Sequence, residues 1–329
     1  MLSSILGYAM PIEDVELAPG TGQLIALAGV QRDAGETQRR GPSALRRLLR
    51  NPRSLAALAI VALMLFAALF AGTLAPFEYD AQLRGSEKLA PSAKHFFGTD
   101  FLARDVLSRV MYGARVSMLI GVCATALSLL IGVVLGLSAG YFGGWIDALL
   151  MRVTDTFAAF PSLLLAIAIT ALYERKPSEN PDLLIADPSI WILFFALGVV
   201  GWTGIARVVR AQVLTVKTLD YVAAARALGG SSARIMFRHI LPNCVSPIIV
   251  LATLSIGGNI LGEAGLSFLG LGIQDPYPSW GGMLSDSRSY FDDHWWVAVF
   301  PGMAIVLTVL AFNLLGDGLR DALDPKARK

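Results

Sequence analysis

The sequence predicts an all-α, polytopic membrane protein with six transmembrane helices. Of its 329 residues, 55% are hydrophobic and 16% are charged, whereas about 25% of the residues in a soluble domain are charged. The mean hydropathy is +0.60. These few charges cannot cover a surface that faces water on all sides, so much of the surface must face lipid. Apolar segments inside a bilayer must satisfy their own backbone groups, which favours helices.

Six apolar runs meet or approach the roughly 20 residues that a helix needs to cross a bilayer core of about 30 Å. Pro161 is expected to bend the third of them, because proline removes a helical hydrogen bond. The six predicted spans cover residues 54–77, 116–146, 156–173, 188–206, 242–262 and 295–316.

The basic residues predict the orientation of these spans. Most Lys and Arg residues lie in the N-terminal tail, the 207–238 loop and the C-terminal tail, and such residues favour the cytoplasmic side. Both termini are therefore predicted to be cytoplasmic. The basic 39–53 segment fits either an ordinary cytoplasmic flank or a contact with anionic lipid. The predicted regions are a flexible cytoplasmic N-terminal tail (1–45), a first transmembrane helix with an outer loop (46–96), a membrane core (97–320) and a cytoplasmic C-terminal tail (321–329).

Several kinds of chemistry are missing from the sequence. It has no G-x-x-x-x-G-K-[ST] phosphate loop and no G-x-S-x-G elbow. His95, His239 and His294 lie far apart and outside metal-ligand spacings, so we predict neither catalytic residues nor a metal site. Cys123 and Cys244 suggest no disulfide framework. The net charge of +2 gives no reason to expect a nucleic-acid partner.

Few ionisable residues lie in the predicted spans, the main ones being Asp155 and Glu263. An isolated carboxylate at depth is costly, so Glu263 should face the interior of the bundle or water. With Asn259 one turn earlier, it is expected to line a path through the membrane or to lie at the level of the lipid headgroups. The glycines between 257 and 272 allow close helix packing or a gate movement.

A charged, alanine-rich stretch, DYVAAARALGGSSARIMFRHILPN (220–243), separates two apolar runs. Asp220 is expected to cap a helix that ends at Leu228, because Gly229 readily adopts left-handed angles. Ser231 or Ser232 then caps a second short helix, which Leu241 and Pro242 should end. A plain loop, a helix-turn-helix that binds DNA and a docking element for a cytoplasmic partner all fit this pattern.

The same stretch resembles the cytoplasmic motif E-A-A-x3-G-x9-I-x-L-P of inner-membrane permeases of binding-protein-dependent ABC importers. Two positions depart from the motif, since Ala223 stands at the glutamate position and His239 at the isoleucine position. The matching residues are Ala224, Ala225, Gly229, Leu241 and Pro242.

Other segments extend the resemblance to residues 45–325. FGTDFLARDVLSRVMYGARVSM (97–118), GYFGGWIDALLMRVTDTFAAFPSLLLAI (140–167) and GEAGLSFLGLGIQDPYPSWGGML (262–284) are similar to C-type permeases of the dipeptide, oligopeptide and nickel subgroup. Residues 45–95 resemble that group's additional N-terminal span. Residues 97–112 are expected to form a helix at the outer membrane face, either structural or in contact with a binding protein. Thr99 or Asp100 would cap it, and Arg104 and Arg109 would extend towards water.

The resemblance implies a type I ABC importer permease fold with cytoplasmic coupling helices, in the cell inner membrane. It implies a permease subunit, not an enzyme, that forms half of a translocation path for di- or oligopeptides. Nickel or another small solute is the alternative substrate, and a membrane channel or scaffold that is not coupled to ATP is the alternative of a different class.

The implied partners are a second homologous permease subunit, two ATPase subunits or domains, and an extracytoplasmic binding protein. ATP and Mg would be bound by the ATPases, so this chain would hold no cofactor. The path residues would be Asn259 and Glu263. The residues expected to couple to the ATPase are Asp220, Tyr221, Ala223, Ala224, Ala225, Arg226, Gly229, Arg234, Arg238, His239, Leu241 and Pro242.

Overall fold

The computed structural model describes residues 44–172 and 187–323. The predicted N-terminal tail, except for its last two residues, and the predicted C-terminal tail after residue 323 lie outside this part of the chain. The described residues form helices and no β-strand, with an isolated bridge between Thr99 and Asp105. The helices are α1 (Ala44–Arg50), α2 (Pro52–Leu69), α3 (Ala71–Leu74), α4 (Val106–Phe142), α5 (Gly144–Ala158), α6 (Ser162–Ala171), α7 (Pro188–Val216), α8 (Asp220–Ala227), α9 (Ser232–Arg234), a π-helical turn (Ile235–Ile240), α10 (Leu241–Phe268), α11 (Trp280–Ser287) and α12 (Trp296–Leu323).

The described residues contain five helices that are long and apolar enough to cross a membrane, and a bent pair that makes a sixth if it is one span. The bent pair is α5 and α6, whose axes differ by 80°. Pro161 lies at the break and precedes α6. Proline has no N–H and disfavours a helical conformation for the residue before it, here Phe160. The predicted bend at Pro161 is therefore confirmed.

The start of α4 differs from the sequence prediction. No helix begins at Thr99 or Asp100, because residues 97–105 form a loop with positive φ angles of 75° at Gly98 and 59° at Ala103. Asp105 caps α4 by accepting a hydrogen bond of 2.9 Å from the Ser108 N–H. The predicted outer-face helix over 97–112 is thus wrong for its first half, and its second half is the start of a 37-residue helix.

The prediction that Arg104 and Arg109 extend towards water is wrong. Both side chains are buried in a network of charges. Arg104 pairs with Asp100 at 2.7 Å and with Asp275 at 2.9 Å. Arg109 lies 3.8 Å from Asp100 and 3.9 Å from Asp286. Because carboxylates from three segments surround the two guanidinium groups, burial is compensated by pairing. The network joins the start of α4 to α11 and to the loop between α10 and α11.

Helices α4 and α7 pack with their backbones in close approach along a row of glycines. Gly132, Gly136 and Gly140 on α4 lie one turn apart and face α7. A Cβ atom at Gly136 would lie 2.5 Å from the Ala206 carbonyl oxygen, and one at Gly140 would lie 2.7 Å from the Val213 Cβ. Small residues at such positions let two membrane helices pack tightly. Helices α4 and α7 therefore form a stiff pair.

Candidate functional site

Helix α8 stands at the end of the bundle where α7 ends and α10 begins. Three residues, 217–219, separate α7 from α8. The residue that precedes the helix is Leu219, in an extended conformation, and Asp220 lies in the first turn rather than at the cap. The helix ends at Ala227, one residue earlier than expected, and Gly229 follows with a φ of 77°. The predicted glycine turn is thus present. The prediction that Asp220 caps the helix is wrong, because Leu219 occupies that position.

The second predicted helix does not end at Leu241 and Pro242. Ser231 caps it by accepting a hydrogen bond of 3.4 Å from the Arg234 N–H. The helix then passes through the π-helical turn into α10, so residues 232–268 form one continuous helical segment. Proline cannot donate the usual helical hydrogen bond and its ring crowds the preceding turn. The wider π-helical turn before Pro242 accommodates both effects.

A buried hydrophobic cluster holds α8 against the bundle. Val222 is the buried residue of α8, and it packs with Val213 of α7 and with Ile235 and Ile240 of the π-helical turn. The opposite side of α8 has its side chains exposed. Ala225 packs against the same cluster, and the remaining side chains of α8 are exposed.

The structure brings the predicted coupling residues together on this loop, and most of them are exposed. Arg226 lies over the Tyr141 ring, 5.8 Å from its centroid. The half-buried members are Ala225, His239 and Leu241. The exposed members are Asp220, Tyr221, Ala223, Ala224, Arg226, Gly229, Arg234, Arg238 and Pro242.

Exposed apolar side chains on the same loop were missed by the sequence reasoning. Leu228 is 88% exposed, and Phe237 and Leu219 are exposed as well. Leu228 lies directly before Gly229, and a large apolar residue next to a helix-ending glycine was a readable signal. Leu219, Leu228 and Phe237 thus add exposed apolar area to the region of the predicted coupling residues.

Polar contacts fasten the turn between α4 and α5 to the end of α7. Arg210 donates two hydrogen bonds to Asp147, at 2.5 and 2.6 Å. The Lys217 ammonium donates one of 2.7 Å to the Gly140 carbonyl oxygen, which satisfies an acceptor near the end of α4. A paired guanidinium and carboxylate in this two-bond geometry form a strong and directional contact.

A cavity of about 810 Å³ lies between α6, α7, α10 and α12. Asn259 is on its wall and donates a hydrogen bond of 2.9 Å to the Thr125 hydroxyl. Glycines on α10 leave room for the cavity, since a Cβ atom at Gly258 or Gly265 would meet nothing within 4 Å. A second cavity of about 530 Å³ lies on α7, α10 and α12 nearer to α8. The two cavities thus share three helices.

Glu263 lies inside the helix packing and not on the wall of either cavity. Its side chain is fully buried in the chain. The Ser117 hydroxyl donates to its carboxylate at 2.8 Å and the Ser267 hydroxyl at 2.7 Å. The carboxylate therefore links α4 to α10, and its role in a path remains a prediction.

Comparisons with known proteins match most of the chain. Residues 132–329 match the family model described as the inner membrane component of binding-protein-dependent transport systems. Residues 42–91 match the N-terminal transmembrane domain of oligopeptide transport permease C.

Curated relatives are similar over most of their length. The dipeptide transport system permease protein of Alkalihalophilus pseudofirmus is 44% identical, over 87% of this chain and 90% of the relative. The di/tripeptide transport system permease protein of Pseudomonas aeruginosa is also 44% identical, over 84% and 89% of the two chains. The glutathione transport system permease protein of Pectobacterium atrosepticum is 43% identical, over 86% and 90%.

A solved structure, the crystal structure of an amino acid ABC transporter with histidines, matches with a TM-score of 0.49 and 15% identity. The match covers 66% of this chain and 95% of that chain.

Proposed function

Because this chain belongs to the family of inner membrane components of binding-protein-dependent transport systems, we propose that it forms half of the translocation path of an importer for di- or oligopeptides. It is a multi-pass inner membrane protein and a permease subunit of an ABC importer, not an enzyme. The proposal of a peptide substrate rests on the 44% identity to dipeptide and di/tripeptide permeases over most of both chains.

The proposed partners are a second homologous permease subunit, two ATPase subunits or domains, and an extracytoplasmic binding protein. The 220–242 loop supports an ATPase partner, because it exposes small alanine side chains beside Leu228 and Phe237. In this proposal the loop and both termini are cytoplasmic, and the α10–α12 connection faces outward. The Lys and Arg distribution supports this orientation.

ATP and Mg are proposed to bind to the ATPase partners and not to this chain. The sequence has no phosphate loop, so it lacks the glycine-rich backbone that cradles phosphates in such sites. The energy for transport would then reach this chain as movement of the 220–242 loop.

The cavity between α6, α7, α10 and α12 favours a peptide over a metal ion. None of the described residues that line it is His, Cys, Asp or Glu, which are the usual ligands of transition metals. Its wall is mainly aliphatic with Asn259 and a few hydroxyls, a surface that tolerates varied side chains.

The proposal is tested by purifying the tagged chain from membranes of its host in a mild detergent. We expect a homologous permease and ATPase subunits to co-purify, and the complex to take up radiolabelled dipeptide in liposomes when ATP is inside and the binding protein outside. A chain that purifies without any ATPase would overturn the importer function. ATP-driven uptake of nickel, with no uptake of peptide, would replace the substrate.

A further inference from the structure

The connection between α7 and α8 is short. The connection is three residues long, and within it the Leu219 N–H donates to the Val216 carbonyl oxygen at 3.1 Å. Val222 is buried against α7 as well. A displacement of α8 is therefore expected to carry the end of α7 with it, because separating them would break this hydrogen bond and the packing of Val222 against α7.

Helix α5 is fastened to α7 at its first turn. Asp147 lies in that turn, and the residue that precedes the helix, Gly143, has no side chain to cap it. The two hydrogen bonds from Arg210 thus hold the free N-terminal end of α5 against α7. The Lys217 bond to the Gly140 carbonyl oxygen holds the preceding turn in the same way.

The position of α5 in turn affects the wall of the large cavity. Helix α5 continues into α6 after a break of three residues, and the two axes differ by 80°. Ser162, Leu163 and Ala166 of α6 line the cavity opposite α10 and α12. A movement of α5 would reach the wall of the cavity through this short connection to α6.

We propose that Asp147 and Arg210 are a positioning pair that makes α5 and α6 follow α7 when the loop around α8 moves, so that the cavity wall changes shape with the ATPase cycle. This inference rests on the proposed function as an ATP-driven permease. Without the pair, α7 would still move with α8, but α5 and α6 would lag behind it. ATP hydrolysis would then continue with little transport, since coupling requires an element that both sites bias.

The chain offers a matched control on the same two helices. Arg207 donates one hydrogen bond of 2.8 Å to Asp155, and these side chains are 49% and 66% exposed. The corresponding exposures for Arg210 and Asp147 are 33% and 18%. Exposed ion pairs contribute little to the position of their helices, so the loss of the Arg207–Asp155 pair should leave coupling intact.

The experiment measures the ratio of dipeptide transported to ATP hydrolysed in liposomes that contain the whole complex. Asp147→Asn and Arg210→Lys are compared with Asp155→Asn and Arg207→Lys. A variant that only assembles poorly forms less complex, which lowers dipeptide transport and ATP hydrolysis together. The ratio of the two then stays unchanged. The amount of ATPase retained by each variant is recorded in parallel.

We expect Asp147→Asn to retain its ATPase and to lower the ratio at least tenfold, Arg210→Lys to lower it severalfold, and both control variants to stay within twofold of the wild type. A wild-type ratio in Asp147→Asn, or an equal loss in the control pair, would overturn the positioning role. If Asp147→Asn fails to assemble, the ratio in Arg210→Lys decides, and a wild-type value rejects the proposal. A wild-type chain that retains no ATPase would instead reject the proposed function.

Discussion

The Ser117 hydroxyl on α4 donates a hydrogen bond of 2.8 Å to the Glu263 carboxylate on α10. This contact joins residues 146 positions apart in the chain. The Ser267 hydroxyl donates to the same carboxylate from one turn along α10, and the Ser279 side chain is a third hydrogen-bond partner. The buried carboxyl is therefore a polar link within the helix packing. An acceptor lost at such a site leaves buried donors unsatisfied, at a cost of about 1–3 kcal/mol.

We predict that Glu263→Leu lowers the melting temperature of the purified chain in detergent, because the serine hydroxyls that bond to the carboxylate lose their acceptor. Glu263→Gln keeps an amide oxygen at the site and serves as the matched control. Its melting temperature should lie close to that of the wild type. Equal melting temperatures of the leucine variant and the wild type would show that these hydrogen bonds do not support the fold.

The glycine turn after α8 should be sensitive to a side chain for conformational reasons alone. Gly229 has a φ of 77°, and a Cβ atom there would meet nothing within 4 Å. A side chain in the left-handed region costs about 1–2 kcal/mol. We predict that Gly229→Val leaves the protein folded in the membrane but lowers dipeptide uptake severalfold.

Gly204 provides the control for this change, because a Cβ atom there also meets nothing within 4 Å and its φ is not in the left-handed region. Gly204→Ala should preserve uptake. Wild-type uptake by Gly229→Val would mean that the geometry of the turn does not matter for coupling.

Two equally exposed leucines distinguish a specific contact with the ATPase from a general effect of placing a polar side chain on the surface. Leu228 beside α8 and Leu172 at the end of α6 are each 88% exposed. We predict that Leu228→Ser reduces the ATPase retained on the tagged chain severalfold, since it removes apolar area from the proposed contact. Leu172→Ser lies at the other end of the bundle and should retain the ATPase fully. Equal retention in both variants would place the contact elsewhere.

The carboxylates of the buried charge network should not be equivalent. Asp100 accepts hydrogen bonds from the Leu102 and Arg104 N–H groups and pairs with the Arg104 side chain. Removing one partner of a buried pair costs about 3–5 kcal/mol. We therefore predict that Asp100→Asn lowers the melting temperature markedly at pH 7.

In contrast to Asp100→Asn, the substitution Asp286→Asn should stabilise the protein at high pH. Burial raises the pKa of the Asp286 carboxyl, and Asp275 raises it further, while Arg109 and Arg104 oppose the rise. A carboxyl with a raised folded-state pKa contributes stability at low pH that is lost as the pH rises through that pKa. The melting temperature of Asp286→Asn should therefore rise relative to that of the wild type as the pH is raised from 4 to 8. A constant difference across this range would contradict the raised pKa.

Labelling tests the orientation. In a background without Cys123 and Cys244, Ser231→Cys is predicted to react with a membrane-impermeant maleimide only after the inner side is opened, and Asp293→Cys to react from outside. Both positions are exposed in the chain. The reverse pattern would invert the orientation of all the spans.

Local sequence signals were sufficient for the apolar centres of the spans and for the bend at Pro161, because bilayer thickness and proline chemistry act on neighbouring residues. They were insufficient at the start of α4. Arg109 looks like a residue at a membrane surface, yet its guanidinium lies 3.6 Å from the Asp275 carboxylate, 166 positions away. No local pattern predicts that pairing.

Pro242 illustrates the same limit at the candidate site. Proline is a helix-ending signal in the sequence, but burial of Ile235 and Ile240 against α7 and α8 keeps the segment helical and moves the adjustment into a π-helical turn. In contrast, Gly132, Gly136 and Gly140 repeat every four residues in the sequence, a readable sign of close helix packing that was missed by the sequence reasoning.

The anchoring of α8 by Val222 has a consequence for how such importers diversify. If the proposed ATPase contact lies on the exposed side of α8, substitutions there can alter that contact without disturbing the packing of Val222 with α7. Under the proposed function, the fit to an ATPase and the fit to a solute would therefore depend on different residues of the chain, and each could change separately.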